Sequence, residues 1–210
     1  MFQIQNISKA YGKRQILKDV SLTVNDGEAV GILGVNGSGK STFLSSVAAM
    51  YANNPEVSIG YIPQENPLLD ELKPVDNIKL WSKASKASIL EALSSEPLCH
   101  LGINSFIDTP VKKMSGGMKK RLSLATVLID KPKLLLMDEP FAALDLTAKH
   151  DILGFMGLHL RQGGSIIVAS HDEDIFRFCN RVFLLKNGIL YDTAEFQAKG
   201  ISYVDILRSE

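Results

Sequence analysis

Nowhere does the chain carry an apolar run approaching the roughly 20 residues that span a bilayer. Its start, MFQIQNISKAYGKR, also lacks the apolar core of a signal peptide. A cytoplasmic location is therefore expected, with any membrane work passing through a partner. Cysteine is scarce: Cys99 and Cys179 stand far apart without metal-ligand spacing and are read as free or buried thiols of a reducing compartment. Net charge is missing too, because 23 basic residues offset 23 acidic ones, so no overall field recruits nucleic acid or acidic lipid. The absence of internal repeats, heptad runs and low-complexity tracts argues against solenoids and coiled-coil arms.

What remains is an ordinary globular pattern of 210 residues, enough for one large domain with an insertion. The first thirty-odd residues alternate apolar and polar, as in FQIQNI and VSLTV, the mark of antiparallel strands with one covered face. EAVGILG, KLLLMDE, GSIIVAS and RVFLLKNG are short apolar runs expected to be buried strands. Helical spacing is expected over Ser41–Met50, Gly117–Ile129, Ala148–Leu160 and Glu173–Cys179. Strands and helices alternate, so the fold class is α/β with a mostly parallel sheet. Between about residues 65 and 114, Pro67, Pro74 and Pro97 punctuate short amphipathic pieces with little strand signal, which predicts a small helical insertion within a single 1–210 domain.

Gly34-Val35-Asn36-Gly37-Ser38-Gly39-Lys40-Ser41 fits the phosphate-loop pattern and stands between a strand and a helix, the context it requires. Its glycines let successive backbone N–H groups, continuing to Thr42, wrap a triphosphate, and Lys40 adds charge near the outer phosphates. Ser41 can ligate Mg²⁺. LLLMDEP supplies the other half of such a site. Asp138, at the end of an apolar strand, is expected to hold the metal, and Glu139 to orient or deprotonate a water attacking the γ-phosphate of ATP.

With these residues in place the chain resembles an ATP-binding cassette (ABC) ATPase over essentially its whole length. Ser115-Gly116-Gly117 resembles the family signature, EPFAALD from Glu139 to Asp145 resembles the loop after the catalytic glutamate, and His171 in ASHDED resembles the switch histidine at the γ-phosphate. The resemblance implies that Tyr11 stacks on adenine and that Gln64 reaches the metal and water as a third catalytic group beside Glu139 and His171. It also implies a head-to-tail dimer with a second copy, in which Ser115–Gly117 of one subunit caps the γ-phosphate held by Lys40 of the other, with Asp145 nearby. The function implied is ATP hydrolysis powering transport through a separate integral membrane subunit. No nucleic-acid partner is expected.

Three departures qualify the resemblance. Met118 follows the glycines, as in the branch that exports drugs and lipids, whereas Leu146 after Asp145 is less like that branch. The stretch from Lys40 to Gln64 is short, which predicts a reduced antiparallel β subdomain. An importer, or a non-transport ABC ATPase acting on nucleic acid or ribosomes, stands as the alternative. Leu68, Leu69, Leu72 and Trp81 are expected to form the contact region for the membrane subunit. Lys112, Lys113, Lys119, Lys120 and Arg121 are read as a solvated basic face, and His150 and His159 as lying on a solvated helix face.

Overall fold

The computed structural model describes residues 1–210 except 53, 55, 66, 67, 143, 204 and 206–210. Pro67 and Ala143, which enter the sequence reading, lie outside the described residues. The first two strands, β1 (Phe2–Tyr11) and β2 (Arg14–Val24), pair antiparallel as a two-stranded sheet. A six-stranded sheet follows, built from β3 (Ala29–Leu33), β4 (Ile59–Ile62), β5 (Leu134–Asp138), β6 (Ser165–Ser170), β7 (Arg181–Lys186) and β8 (Ile189–Asp192). Its order is β4-β5-β6-β3-β7-β8, and only the β7–β8 pair is antiparallel. The small antiparallel sheet and the mostly parallel large one are those expected. The strand β4 and the hairpin strand β8 were not, because each has only four residues, too few for a period to show.

Every residue of β3, β5 and β6 is buried, which is why their runs read as continuously apolar: a parallel sheet is covered on both faces. The helices α1 (Lys40–Tyr51), α4 (Gly116–Leu128), α5 (Leu146–Arg161) and α6 (Glu173–Phe178) lie close to the expected spans. The start of α5 comes two residues early because the Asp145 carboxylate accepts a hydrogen bond from the Ala148 amide at 2.8 Å and caps it. Between β4 and α4 lie α2 (Pro74–Trp81), α3 (Lys86–Leu93) and three short 3₁₀ turns, and the C-terminal end carries α7 (Ala194–Ala198). On one face of the large sheet Leu135, Met137, Ile166 and Val168 meet the helical layer, including Leu122, Ala125 and Phe155. On the other, Ile32, Leu136 and Ile167 meet Phe43 and Val47 of α1 and the inner face of β1–β2.

The base of the sheet is fastened by Glu28. Its carboxylate accepts from Arg181 Nε at 2.5 Å and Nη2 at 3.0 Å, and from the Asn25 amide at 2.7 Å. Burial by itself pushes its pKa up, but these donors more than reverse that and hold the carboxyl below its ordinary value. A depressed carboxyl contributes stability that is present above its unfolded value and lost as pH falls through the folded one. Glu28→Gln should therefore cost about 1.5–3 kcal/mol at pH 7 and flatten the loss of stability below about pH 4.5, read from denaturant unfolding at several pH values.

One basic residue, Lys120, departs from the expected solvated face. Lys112 and Lys119 reach back to Glu71 at 2.6 Å and Asp70 at 3.4 Å, and Lys120 is buried at 3% exposure. The segment they touch is also bonded through its backbone, with the Val111 and Lys112 amides donating to the Leu72 and Asp70 carbonyls. Asn77, wholly buried, accepts from the Leu69 amide and donates to the Leu69 and Leu72 carbonyls, so residues 69–73 are pinned from both sides. His159 likewise leaves the expected helix face: it is 8% exposed and stacks on Phe155, whereas His150 is exposed.

Candidate nucleotide site

The site begins with a turn that only glycine can make. Gly39, at φ 108°, is the residue before α1, and a side chain on Gly34 would strike Ser38 Oγ at 2.6 Å and the Leu185 carbonyl at 2.9 Å. The loop consequently closes tightly enough for Ser38 N to donate to the Val35 carbonyl at 3.1 Å. Lys40 folds back over it, donating from Nζ to the Gly34 carbonyl at 2.7 Å and the Val35 carbonyl at 3.3 Å. Its ammonium is 3.8 Å from Glu139 Oε1.

Strand register carries the other groups to the same edge. Because β6 lies between β3 and β5, Ser170 stands opposite Leu33 and Ala169 opposite Asp138. The residue after each strand then projects at the C-terminal end of the sheet. Glu139, at a left-handed φ of 45°, is a non-glycine residue in a conformation that costs about 1–3 kcal/mol. It is held there by its amide, which donates to the Ala169 carbonyl at 2.9 Å, and by Ser170 Oγ, which donates to Oε2 at 3.1 Å. His171 Nδ1 lies 3.0 Å from Oε1 of the same carboxylate. Glu139 is 6% exposed, whereas most of the His171 side chain is open to solvent.

Asp138 is more deeply set, at 2% exposure. Desolvation pushes its carboxyl above the ordinary carboxylate range and the Glu139 charge adds to this, while the Ser41 hydroxyl, Lys40 and Lys120 oppose it. Among the described residues its Oδ1 has no hydrogen-bond partner. A buried carboxylate oxygen without a partner, next to a hydroxyl and facing the phosphate loop, fits a hard divalent cation, whose ligands are oxygens.

The remaining residues singled out by sequence lie elsewhere. Tyr11 is 59% exposed at the end of β1, and Gln64 is exposed two residues past β4. Ser115 caps α4 by accepting from the Met118 amide at 3.2 Å, and both it and Gly116 are exposed. A side chain on Gly117 would lie 3.4 Å from Ala148 Cβ, so the starts of α4 and α5, with Ser115 and Asp145, form a second group. Among the described residues, neither that group nor Tyr11 or Gln64 hydrogen-bonds to the Asp138, Glu139 or His171 side chains. A cavity of about 830 Å³ lies at the opposite end of the sheet, against Phe155, His159, Lys131 and Lys133.

Lys120 is the site neighbour that sequence reasoning missed. Burial brings its ammonium down to about 8, against the opposing pull of Asp138 and Glu139, and Nζ donates to the Pro63 carbonyl over a long 3.4 Å. The available signal was Leu124, four residues on and on the same helical face.

A glycine turn, a lysine and paired acids at the carboxyl edge of a parallel sheet define the class of phosphate-loop nucleotide-binding proteins. Residues 17–142 match the model of the ABC transporter family, and the chain belongs to that family as an ATP-binding, ATP-hydrolysing cassette. It is 32% identical over 208 residues to the linearmycin resistance ATP-binding protein LnrL of Bacillus subtilis, which covers 90% of this chain and 67% of that protein. It is 33% identical over 203 residues to the Nod factor export ATP-binding protein I of Rhizobium etli, covering 87% of this chain and 64% of that one. The chain thus spans about two thirds of the length of these two relatives. Among solved structures it resembles the dimeric MJ0796, a bacterial ABC transporter cassette, with TM-score 0.77, 25% identity and coverage of 90% and 96%. Among the described residues, no helix is long and apolar enough to cross a membrane.

Proposed function

We propose that this subunit powers movement of a solute, in the export direction, through a separate integral membrane subunit, and that two copies close head to tail around ATP. The observation that carries this reading is the convergence on Glu139, whose carboxylate is held by Ser170, touched by His171 and 3.8 Å from Lys40. The whole 1–210 chain acts as one ABC ATPase domain, and residues 65–114 are its helical insertion.

The loop amides from Gly34 to Thr42 and the Lys40 ammonium grip the triphosphate, and Tyr11 stacks on the adenine. When ATP arrives, Lys40 exchanges the Gly34 and Val35 carbonyls for phosphate oxygens. Ser41, Asp138 and Gln64 would hold Mg²⁺, which would supply positive charge to the outer phosphates when bound. Glu139 accepts a proton from the attacking water, and His171, already on its carboxylate, orients it and reaches the γ-phosphate. A second copy supplies Ser115–Gly117 and Asp145, which stand together at the starts of α4 and α5, and the α4 N-terminus then faces the γ-phosphate. Loss of that phosphate removes the contact and opens the pair. The dimeric MJ0796 structure supports this closure. Met118 after the signature, and relatives whose names specify resistance and export, support the direction.

The membrane subunit docks on the insertion. Leu69, Leu80 and Trp81 expose more than half their surface there, whereas Leu68 and Leu72 are partly buried and belong to the packing. Leu69→Glu with Trp81→Glu should leave basal ATPase of the isolated subunit within about 2-fold of the native value, since surface changes away from the site are near neutral. The same pair should abolish co-purification with a polytopic membrane protein from the native membrane. Equal recovery of that protein with the double variant would remove this surface from the proposal. Transport strictly dependent on an external solute-binding protein would reverse the direction.

A further inference from the structure

Lys120 is an unusual residue for its place. Lysine is almost never buried unless paired, yet this one is 3% exposed, on the helix that begins with the signature. The helix approaches β4 very closely: a side chain on Gly60 would overlap Val127 at 2.4 Å. That approach carries the Lys120 stem under the end of β4, where its ammonium meets the Pro63 carbonyl at 3.4 Å, immediately before Gln64. Asp138 and Glu139 are the acidic groups that act on it. The residue therefore connects three parts that are far apart in sequence: the signature helix, the Gln64 loop and the carboxylate pair.

We infer that Lys120 is a positioning residue: its ammonium fastens the Gln64 loop through the Pro63 carbonyl and supplies positive charge beside Asp138 and Glu139 while the site holds no metal. Two buried carboxylates side by side repel one another, and a fixed cation offsets that repulsion in the nucleotide-free protein. The same cation opposes a divalent ion arriving at Asp138, so it sets the Mg²⁺ concentration at which the site loads. This rests on the reading of Asp138 and Gln64 as metal-site residues.

The experiment uses the full chain carrying a nitroxide on Glu65→Cys, with both free cysteines, Cys99 and Cys179, replaced by serine so that the label has one thiol to react with. In Lys120→Met the label should become markedly more mobile without nucleotide. The Mg²⁺ concentration giving half-maximal binding of a fluorescent ADP should fall by about 3–10-fold, because a nearby like charge has gone. Lys120→Arg should keep both readouts near native. If Lys120→Met does not fold, Lys120→Gln, of similar length and neutral, replaces it. Unchanged label mobility and unchanged Mg²⁺ dependence, with only the melting temperature altered, would reduce Lys120 to packing. Asp138→Asn is measured in parallel: if it leaves the Mg²⁺ dependence untouched, the metal reading has failed, and label mobility alone decides Lys120.

Discussion

Lys40→Ala should lower ATP affinity by about 10²-fold or more, measured by calorimetry or by displacement of a fluorescent nucleotide. The ammonium is 6% exposed and aimed into its own loop, donating to the Gly34 and Val35 carbonyls. Those bonds fix where it stands before ligand arrives. Two such bonds transferred to phosphate oxygens, each worth about 1.5–3 kcal/mol when charged, set the size of the loss. The loop itself should survive, because its shape depends on Gly39 and on the close approach at Gly34, not on the lysine. Micromolar ATP affinity retained in Lys40→Ala would remove this residue from the nucleotide grip.

Glu139→Gln is expected to lose about 10²–10⁴ in turnover while binding ATP with near-native affinity. The amide has the same shape, so Ser170 Oγ still donates to its oxygen and its NH₂ can donate to a neutral His171 ring. What disappears is the base. With saturating Mg-ATP this variant should also accumulate as a closed dimer by light scattering, since the γ-phosphate that holds the two copies is no longer removed. Unchanged turnover would place the base on another residue. A monomer under the same conditions, with ATP shown to be bound, would contradict closure by ATP.

Much of the site was legible because its chemistry is local. The loop from Gly34 to Ser41 needs only its own spacing, and Asp138 and Glu139 announce themselves as acids ending an apolar strand. The caps at Ser115 and Asp145 are equally local, each accepting from an amide three residues on. What could not be read was whatever depends on how separate segments approach. The strand β4 is four residues long and exists because it pairs with β5, from Ile59 opposite Leu134 to Ile62 opposite Met137. Lys112, Lys119 and Lys120 look like one basic face in sequence. Two of them reach back to acids at positions 70 and 71, and the third is buried by the close packing of α4 on Gly60. His159 is buried for a comparable reason, stacked on Phe155 four residues earlier where α5 meets the core.

By itself the sequence determined the alternation of strands and helices, the phosphate loop, the acids that follow LLLM and the glycine pair that opens α4. Each of these is set by residues within a few positions of one another. Only the tertiary structure decided that β6 enters between β3 and β5, which places Ser170 and His171 on Glu139 and leaves Asp138 Oδ1 buried without a partner among the described residues. It also set the start of α4 against the start of α5, and put the Lys120 ammonium on the Pro63 carbonyl. Strand order and helix approach come from burying apolar faces contributed by the whole chain, and no local spacing encodes which distant segment will cover which.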